Sequence, residues 1–162
     1  MSEQNPYDGF LDGQAVGDIL AATPGEIKSA LAAIGPERVA APPAPGKWSA
    51  AEIVCHLADC DVAFGFRLRQ TLAEDNHTIQ PFDQEKWAAT YAGIPADAAL
   101  AAFSALRAWN LRLIRAALPA AADKPALHPE RGAMTFQTIV EIIAGHDLNH
   151  LAQLRRIAAM GA

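Results

Sequence analysis

Apolar residues recur every three to four positions along four long stretches of the chain, the period of an amphipathic helix. The first predicted helix runs from about Gly13 to Ile34. Thr23-Pro24 is expected to interrupt it and Gly35-Pro36 to end it. The second starts at Ser49, which with Glu52 has the spacing of a capping box, and runs to about Asp75. Its stripe is Ile53, Leu57, Cys60, Phe64, Leu68 and Leu72. A short helix around Phe82 to Ala92 is expected to cover one end. The third long helix spans about Pro95 to Leu118, with Leu100, Phe103, Leu106, Leu111 and Ile114 inward. The fourth spans about Thr135 to Met160, with Phe136, Ile139, Ile143, Leu154 and Ile157 inward. No segment alternates as a strand. Pro42 to Gly46, Gly93 to Pro95 and Pro119 to Gly132 read as connections inside one domain, residues 1–162. The expected architecture is all-α, a four-helix bundle with a short extra helix between the second and third long helices.

Composition strengthens the helical reading, because alanine is abundant and β-branched residues are sparse. Hydrophobic residues make up 51% of the chain and charged residues 19%, enough for a core and too apolar for wholesale disorder. No apolar run approaches the roughly 18 residues of a membrane span. The opening MSEQNPYDGF has neither a basic region nor an apolar run, so no secretory leader is expected and the cytoplasm is the expected location. A formal net charge of −5 disfavours nucleic acid as a partner. Cys55 and Cys60, on one helix, point about 140° apart, which suits neither a disulfide nor a CxxC knuckle.

Helical geometry sorts the histidines. His146 and His150 are i and i+4 on the fourth long helix, in the column of Ile139, Ile143, Gln153 and Ile157. His56 shares a column with Cys60, Ala63 and Arg67 beside the stripe of the second. Three imidazoles from two helices are thus expected to point inward. Buried rings without partners are costly, and a divalent ion removes that cost by binding their neutral nitrogens. Three protein ligands leave a position open, the catalytic rather than the structural arrangement. Other templates fail. HExxH needs a glutamate where His146-Asp147-Leu148-Asn149-His150 has none, and Glu52 and Glu141 do not repeat a di-iron spacing.

The segment Gly46 to Asp59, GKWSAAEIVCHLAD, resembles the second-helix signature of the DinB-like (YfiT-like) superfamily, and Gly145 to Leu154, GHDLNHLAQL, resembles its last-helix signature. Phe82-Asp83-Gln84 with Trp87, and His128-Pro129 with Gly132, are also similar to members. The resemblance implies a four-helix bundle with a three-histidine metal site carried by His56, His146 and His150, and frequent homodimers. It implies a divalent ion, zinc or nickel first, then iron, manganese or cobalt. Some members resemble S-transferases or isomerases that use a low-molecular-weight thiol such as bacillithiol, mycothiol or glutathione. Others are labelled metal-dependent hydrolases.

Several further side chains are candidates. Arg107 and Asn110 share a column with Phe103 and Ile114, so Arg107 is expected to pair with Asp59 or Glu52, or to hold a substrate carboxylate. Asp59 is a candidate for orienting a ligand. Asp147 is expected to face another helix or solvent. Gln153, one turn past His150, can hydrogen-bond a group on the metal or another helix. Cys60 is either a soft fourth ligand or a small core residue. Arg67 is expected to be solvated or at an interface, Trp48 a packing anchor, and His77 and His128 solvent-facing. The expected function is a metal-dependent enzyme on small molecules of the thiol-dependent S-transferase or isomerase type. The alternatives are a metal-dependent hydrolase and a non-catalytic metal-binding stress protein, most plainly as a homodimer without nucleic acid or membrane.

Overall fold

Side-chain caps at Ser49, Asp83 and Thr135 fix the starts of three helices in this chain. The computed structural model describes residues 5–160; residues 1–4, which open the stretch read for a leader, and 161–162, the end of the expected domain span, lie outside it. Six helices and three short strands are described, in the order α1 (Asp8–Leu11), α2 (Val16–Ile34), α3 (Ala50–Ala73), β1 (His77–Thr78), α4 (Gln84–Ala88), α5 (Ala96–Ala117), β2 (Pro125–His128), β3 (Gly132–Thr135) and α6 (Phe136–Ala159). At the head of α3, Glu52 N–H donates to Ser49 Oγ at 3.2 Å and Ser49 N–H to Glu52 Oε2 at 2.7 Å, the expected capping box. Thr135 caps α6 in the same way through Thr138.

The long helices α2, α3, α5 and α6 form the bundle. α3 lies against α5 and α2 against α6, while α2 also packs on α5 and α3 on α6. The cyclic order is therefore α2, α5, α3, α6. α2 and α3 follow one another in sequence yet sit across the bundle, so residues 35–49 form a crossover.

Two apolar clusters fill the interior. One holds Leu20, Phe64, Leu68, Leu111, Ile139 and Ile143. The other holds Ile27, Ile53, Leu57, Phe103, Leu151 and Leu154. Along each helix a polar residue separates the two sets: Thr23 on α2, Asp61 on α3, Arg107 on α5 and Asp147 on α6, all buried. The core is thus crossed by a polar belt at mid-height.

Three features depart from the sequence reading. Pro24 does not interrupt α2, which runs continuously through it. Proline removes the N–H that would bond Leu20 O, and Arg107 Nη1 approaches that carbonyl at 3.5 Å. Strands exist where none was expected. β1 pairs parallel with β2, and β2 antiparallel with β3, in register His77↔Ala126 and Ala126↔Met134. These strands of two to four residues are held by pairing rather than by alternation. His77 is buried rather than solvent-facing, its Nδ1 2.8 Å from Glu74 Oε2. His128 is half-buried, its Nδ1 accepting Glu130 N–H at 3.2 Å.

The N-terminal segment is seated on α6 through Gly145. A Cβ there would lie 2.6 Å from Tyr7 Cβ and 2.7 Å from Tyr7 O. Gly145→Ala is therefore expected to push Tyr7 off α6 and destabilise by about 1–3 kcal/mol. Gly25→Ala, where the added carbon meets nothing within 4 Å inside α2, is expected to stabilise by about 0.5–1 kcal/mol. Urea unfolding of the two variants gives shifts of opposite sign if the packing argument holds.

Candidate metal centre

Three imidazoles meet at the side of the polar belt. α3 supplies His56 about two turns after its cap Ser49, and α6 supplies His146 and His150 one turn apart. His56 Nε2 lies 3.1 Å from His146 Nε2, and His150 Nε2 lies 3.1 Å from the same atom. All three rings are buried, and their ligand atoms fall within 4.8 Å of one another. Among the described residues this is the group of His, Cys, Asp and Glu side chains placed to hold an ion.

Burial sets the charge state. It lowers the His56 pKa to about 3, with His150 adding to the effect. It holds His146 well below the ordinary value, with His150, His56 and Arg107 each lowering it further. It lowers His150 as well, against the opposing hydrogen bond that His150 Nδ1 donates to Gln153 Oε1. All three rings are therefore neutral near pH 7, the form that binds a divalent ion.

The donor set passes a second test. Gln153 Oε1 lies 2.9 Å from His150 Nδ1, so Nδ1 carries the proton and Nε2 presents its lone pair to the centre. Three nitrogens facing one another cannot all be satisfied by sharing protons. Their 3.1 Å spacings are close to the roughly 3.3 Å between two nitrogens on a tetrahedral ion with bonds of about 2.0–2.1 Å. The residues present fit a divalent ion.

Two cavities open beside the trio. The larger, about 640 Å³, is bordered by Trp48, His56, Glu85, Asn149, His150 and Arg156, among others. The smaller, about 300 Å³, is bordered by Cys60, Phe64, Arg67, Phe82, His128 and Arg131, among others. Tyr7, Gln84 and His146 border both. Tyr7 stands edge-on to His146 with ring centroids 5.4 Å apart, and Trp48 lies 4.9 Å from His56. Asp83 places α4 at the rim by accepting Lys86 N–H at 3.1 Å.

The other expected residues are distributed as follows. Gln153 holds His150, as stated. Asp59 does not approach the trio: its Oδ2 accepts the Tyr91 hydroxyl at 2.8 Å, tying α3 to the segment after α4. Arg107 pairs with neither Asp59 nor Glu52. Glu52 is committed to the capping box, and the guanidinium bonds Asp61 at 3.1 Å through both Nε and Nη2 and also bonds Asp147. Arg107 is thereby saturated by protein carboxylates. Asn110 donates to Asp61 O at 2.8 Å and accepts from Arg69 at 2.9 Å. Cys60 Sγ lies 3.5 Å from His56 Nε2 and 3.9 Å from His146 Nε2, and burial pushes its thiol pKa far up. Cys55 and Cys60 are both free. Arg67 is half-buried rather than solvated, its Nη2 donating to Gln80 O at 3.0 Å.

Sequence reasoning passed over Tyr7 and Glu85. Tyr7 precedes the first long helix, and only its long-range seat at Gly145 brings it to the trio. Glu85 sits on a five-residue helix whose placement no periodicity reports. It is the carboxylate that borders the larger cavity among the described residues.

No helix of the described chain is long and apolar enough to cross a membrane. In overall shape the chain is similar to YfiT from Bacillus subtilis, described as "a probable metal-dependent hydrolase with an unusual four-helix bundle topology". The TM-score is 0.79 and the identity 22%, over 90% of this chain and 86% of that one, a likeness of fold. In sequence it is similar to "Putative metal-dependent hydrolase OB0782" of Oceanobacillus iheyensis, 30% identical over 110 residues. That match takes in 67% of this chain and 64% of the relative, just under two thirds of its length. "Putative metal-dependent hydrolase GK0616" of Geobacillus kaustophilus is 27% identical over 81% of this chain and 75% of its own. The model of the DinB superfamily matches residues 19–154, and the chain belongs to that superfamily.

Proposed function

We propose that the chain is a metal-dependent enzyme acting on small molecules, with His56, His146 and His150 holding one divalent ion, zinc or nickel first, through their Nε2 atoms. The observation that carries this reading is the convergence of three buried, neutral imidazole nitrogens beside open cavities. The ion would supply Lewis acidity, making a nucleophile available near neutral pH. The chain's own part is to present three lone pairs, to fix the His150 tautomer through Gln153, and to shape the space in which reactants meet.

Two readings of the nucleophile follow from that space. Water needs no chamber of its own, whereas two cavities bordered in common by His146 suit two organic reactants. That favours thiol-dependent S-transfer or isomerisation, with a low-molecular-weight thiol in the larger cavity beside Lys47, Glu85, Asn149 and Arg156. Hydrolysis is favoured by the names of the relatives and by Glu85, a carboxylate placed to take a proton at the rim. The zinc-loaded protein is to be offered monochlorobimane with glutathione, bacillithiol and mycothiol in turn, and a panel of esters and amides without thiol. Thiol-dependent turnover at least tenfold above background selects the transferase. Thiol-independent turnover of the panel selects the hydrolase. Absence of metal at the trio overturns both.

Gln153→Ala frees His150 to take either tautomer. It is expected to weaken zinc binding by about 10–100-fold while leaving the fold intact. Competition with a chromophoric chelator measures this. An unchanged affinity would remove Gln153 from the account.

A further inference from the structure

The smaller cavity has a charge character that the three histidines do not explain. Arg67 reaches it from α3, its guanidinium carbon 5.4 Å from the Phe64 ring centroid and 5.5 Å from that of Phe82. Arg131 reaches it from the turn between β2 and β3. Both are half-buried. Among the described residues, neither has a carboxylate within 4.0 Å, whereas the buried Arg107 has two, Asp61 and Asp147. Arg67 spends one N–H on Gln80 O, and the Arg131 side chain bonds no described residue. Glu130 borders the same cavity but pairs with neither.

The two cations also work against each other. Burial lowers the Arg67 pKa and Arg131 lowers it further. His128 beside them is lowered by burial, then by Arg131 and Arg67. Two half-buried guanidiniums share one pocket, and the carboxylate that borders it, the exposed Glu130, pairs with neither, so an arriving anion would gain both. The apolar part of the wall is formed chiefly by Phe64, Ile79, Phe82, Met134 and Ile139.

We propose that this cavity is a subsite for a small organic anion, a carboxylate on a compact apolar or aromatic body, with Arg67 and Arg131 binding the charge and the body filling the apolar walls. The proposal rests on the reading of the trio as the reactive centre, since His146 borders the subsite and would face the bound molecule. A volume of about 300 Å³ accommodates a single ring with its substituents. Contact with two rings and the bond to Gln80 O restrain the Arg67 guanidinium before any ligand arrives, which lowers the cost of ordering it on a carboxylate.

The test uses 4-fluorobenzoate and its neutral counterpart 4-fluorobenzamide, followed by fluorine NMR on the full chain, zinc-loaded and chelator-stripped. Zinc content of every sample is read by mass spectrometry, so failure of the metal reading is seen independently of failure of the subsite. The benzoate is expected to bind at least tenfold more tightly than the amide in both metal states. R67Q and R131Q are each expected to weaken it at least tenfold without affecting the amide. R131Q lies on a surface turn, and its thermal melt, monitored by circular dichroism, is expected to match the parent. Inorganic phosphate is expected to displace the benzoate only at much higher concentration, because it cannot use the apolar walls. Equal binding of amide and benzoate overturns the proposal, as does benzoate binding that survives both substitutions. Binding that needs zinc and ignores the arginines places the anion on the metal and overturns it as well. Displacement by phosphate at equal concentration overturns the organic-anion assignment.

Discussion

Replacing His146 by alanine is expected to abolish metal binding and leave the bundle folded. His146 is the middle of the trio, its Nε2 3.1 Å from each of the other two. Loss of a residue that merely supports a ligand weakens a site about 10–100-fold, so loss of the central ligand should exceed a hundredfold. The wild-type chain, purified without a polyhistidine tag, is expected to carry about one zinc or nickel ion, and the variant less than a tenth of that. A thermal scan adds an independent reading. A ligand at a hundred times its Kd stabilises by about 2.7 kcal/mol, so zinc should raise the melting temperature of the wild type and not of His146→Ala. No ion in either protein, after incubation with zinc and with nickel, would sink the ligand assignment.

The metal-free protein should betray the same site through its acid sensitivity. The folded-state pKa values of His56, His146 and His150 lie below the unfolded value, so below about pH 6.5 the unfolded chain binds more protons. Stability is fully present above pH 6.5 and is lost as the pH falls from there toward about 3, the folded value at His56. Each histidine contributes up to about 1.4 kcal/mol per pH unit. His146→Ala should flatten that slope relative to the metal-free wild type.

The helices and the trio were legible in the sequence for the same reason. A helix writes its facing into a spacing of three and four, so His146, His150 and the stripe of Ile139, Ile143 and Leu154 declare one side. The Ser49–Glu52 cap is equally local. What stayed hidden depends on contacts between distant segments. Pro24 reads as a break until Arg107 is seen approaching the carbonyl it leaves free. The partners of Arg107 come from α3 and α6, and no local spacing distinguishes Asp61 from Asp59 or Glu52 across a helix interface. Asp59 and Asp61 are two residues apart, and only the rotation of α3 in the bundle decides which faces inward. Short strands such as His77–Thr78 carry no period at all, and Tyr7 reaches the trio only because Gly145 lacks a side chain.

Arg107→Met is expected to be the most damaging single change away from the histidines. The guanidinium is buried, bonds Asp61 and Asp147, and both carboxylates are about 1% exposed. Methionine keeps much of the volume, so the effect isolates charge. Removing one partner of a buried pair leaves the other uncompensated and costs about 3–5 kcal/mol. That is a third or more of the stability of many domains this size. The deficit should depend on pH with a definite sign. Burial raises the Asp61 pKa to about 6 even with Arg107 present, so the folded state binds its proton more tightly than the unfolded chain does. Stability from this group is present below about pH 4 and is lost as the pH rises through 6. Without the cation that pKa moves higher still. At pH 8 the variant must bury Asp61 and Asp147 without their cation, whereas at pH 5 it can protonate Asp61. Urea unfolding should therefore show a large deficit at pH 8 and a smaller one at pH 5. Adding Asp61→Asn and Asp147→Asn to Arg107→Met should recover much of the loss at pH 8. If Arg107→Met does not fold at pH 8, recovery by the triple variant carries the same information. A deficit equal at both pH values, or a triple variant no better than the single one, would mean that Arg107 holds the helices by shape rather than by charge.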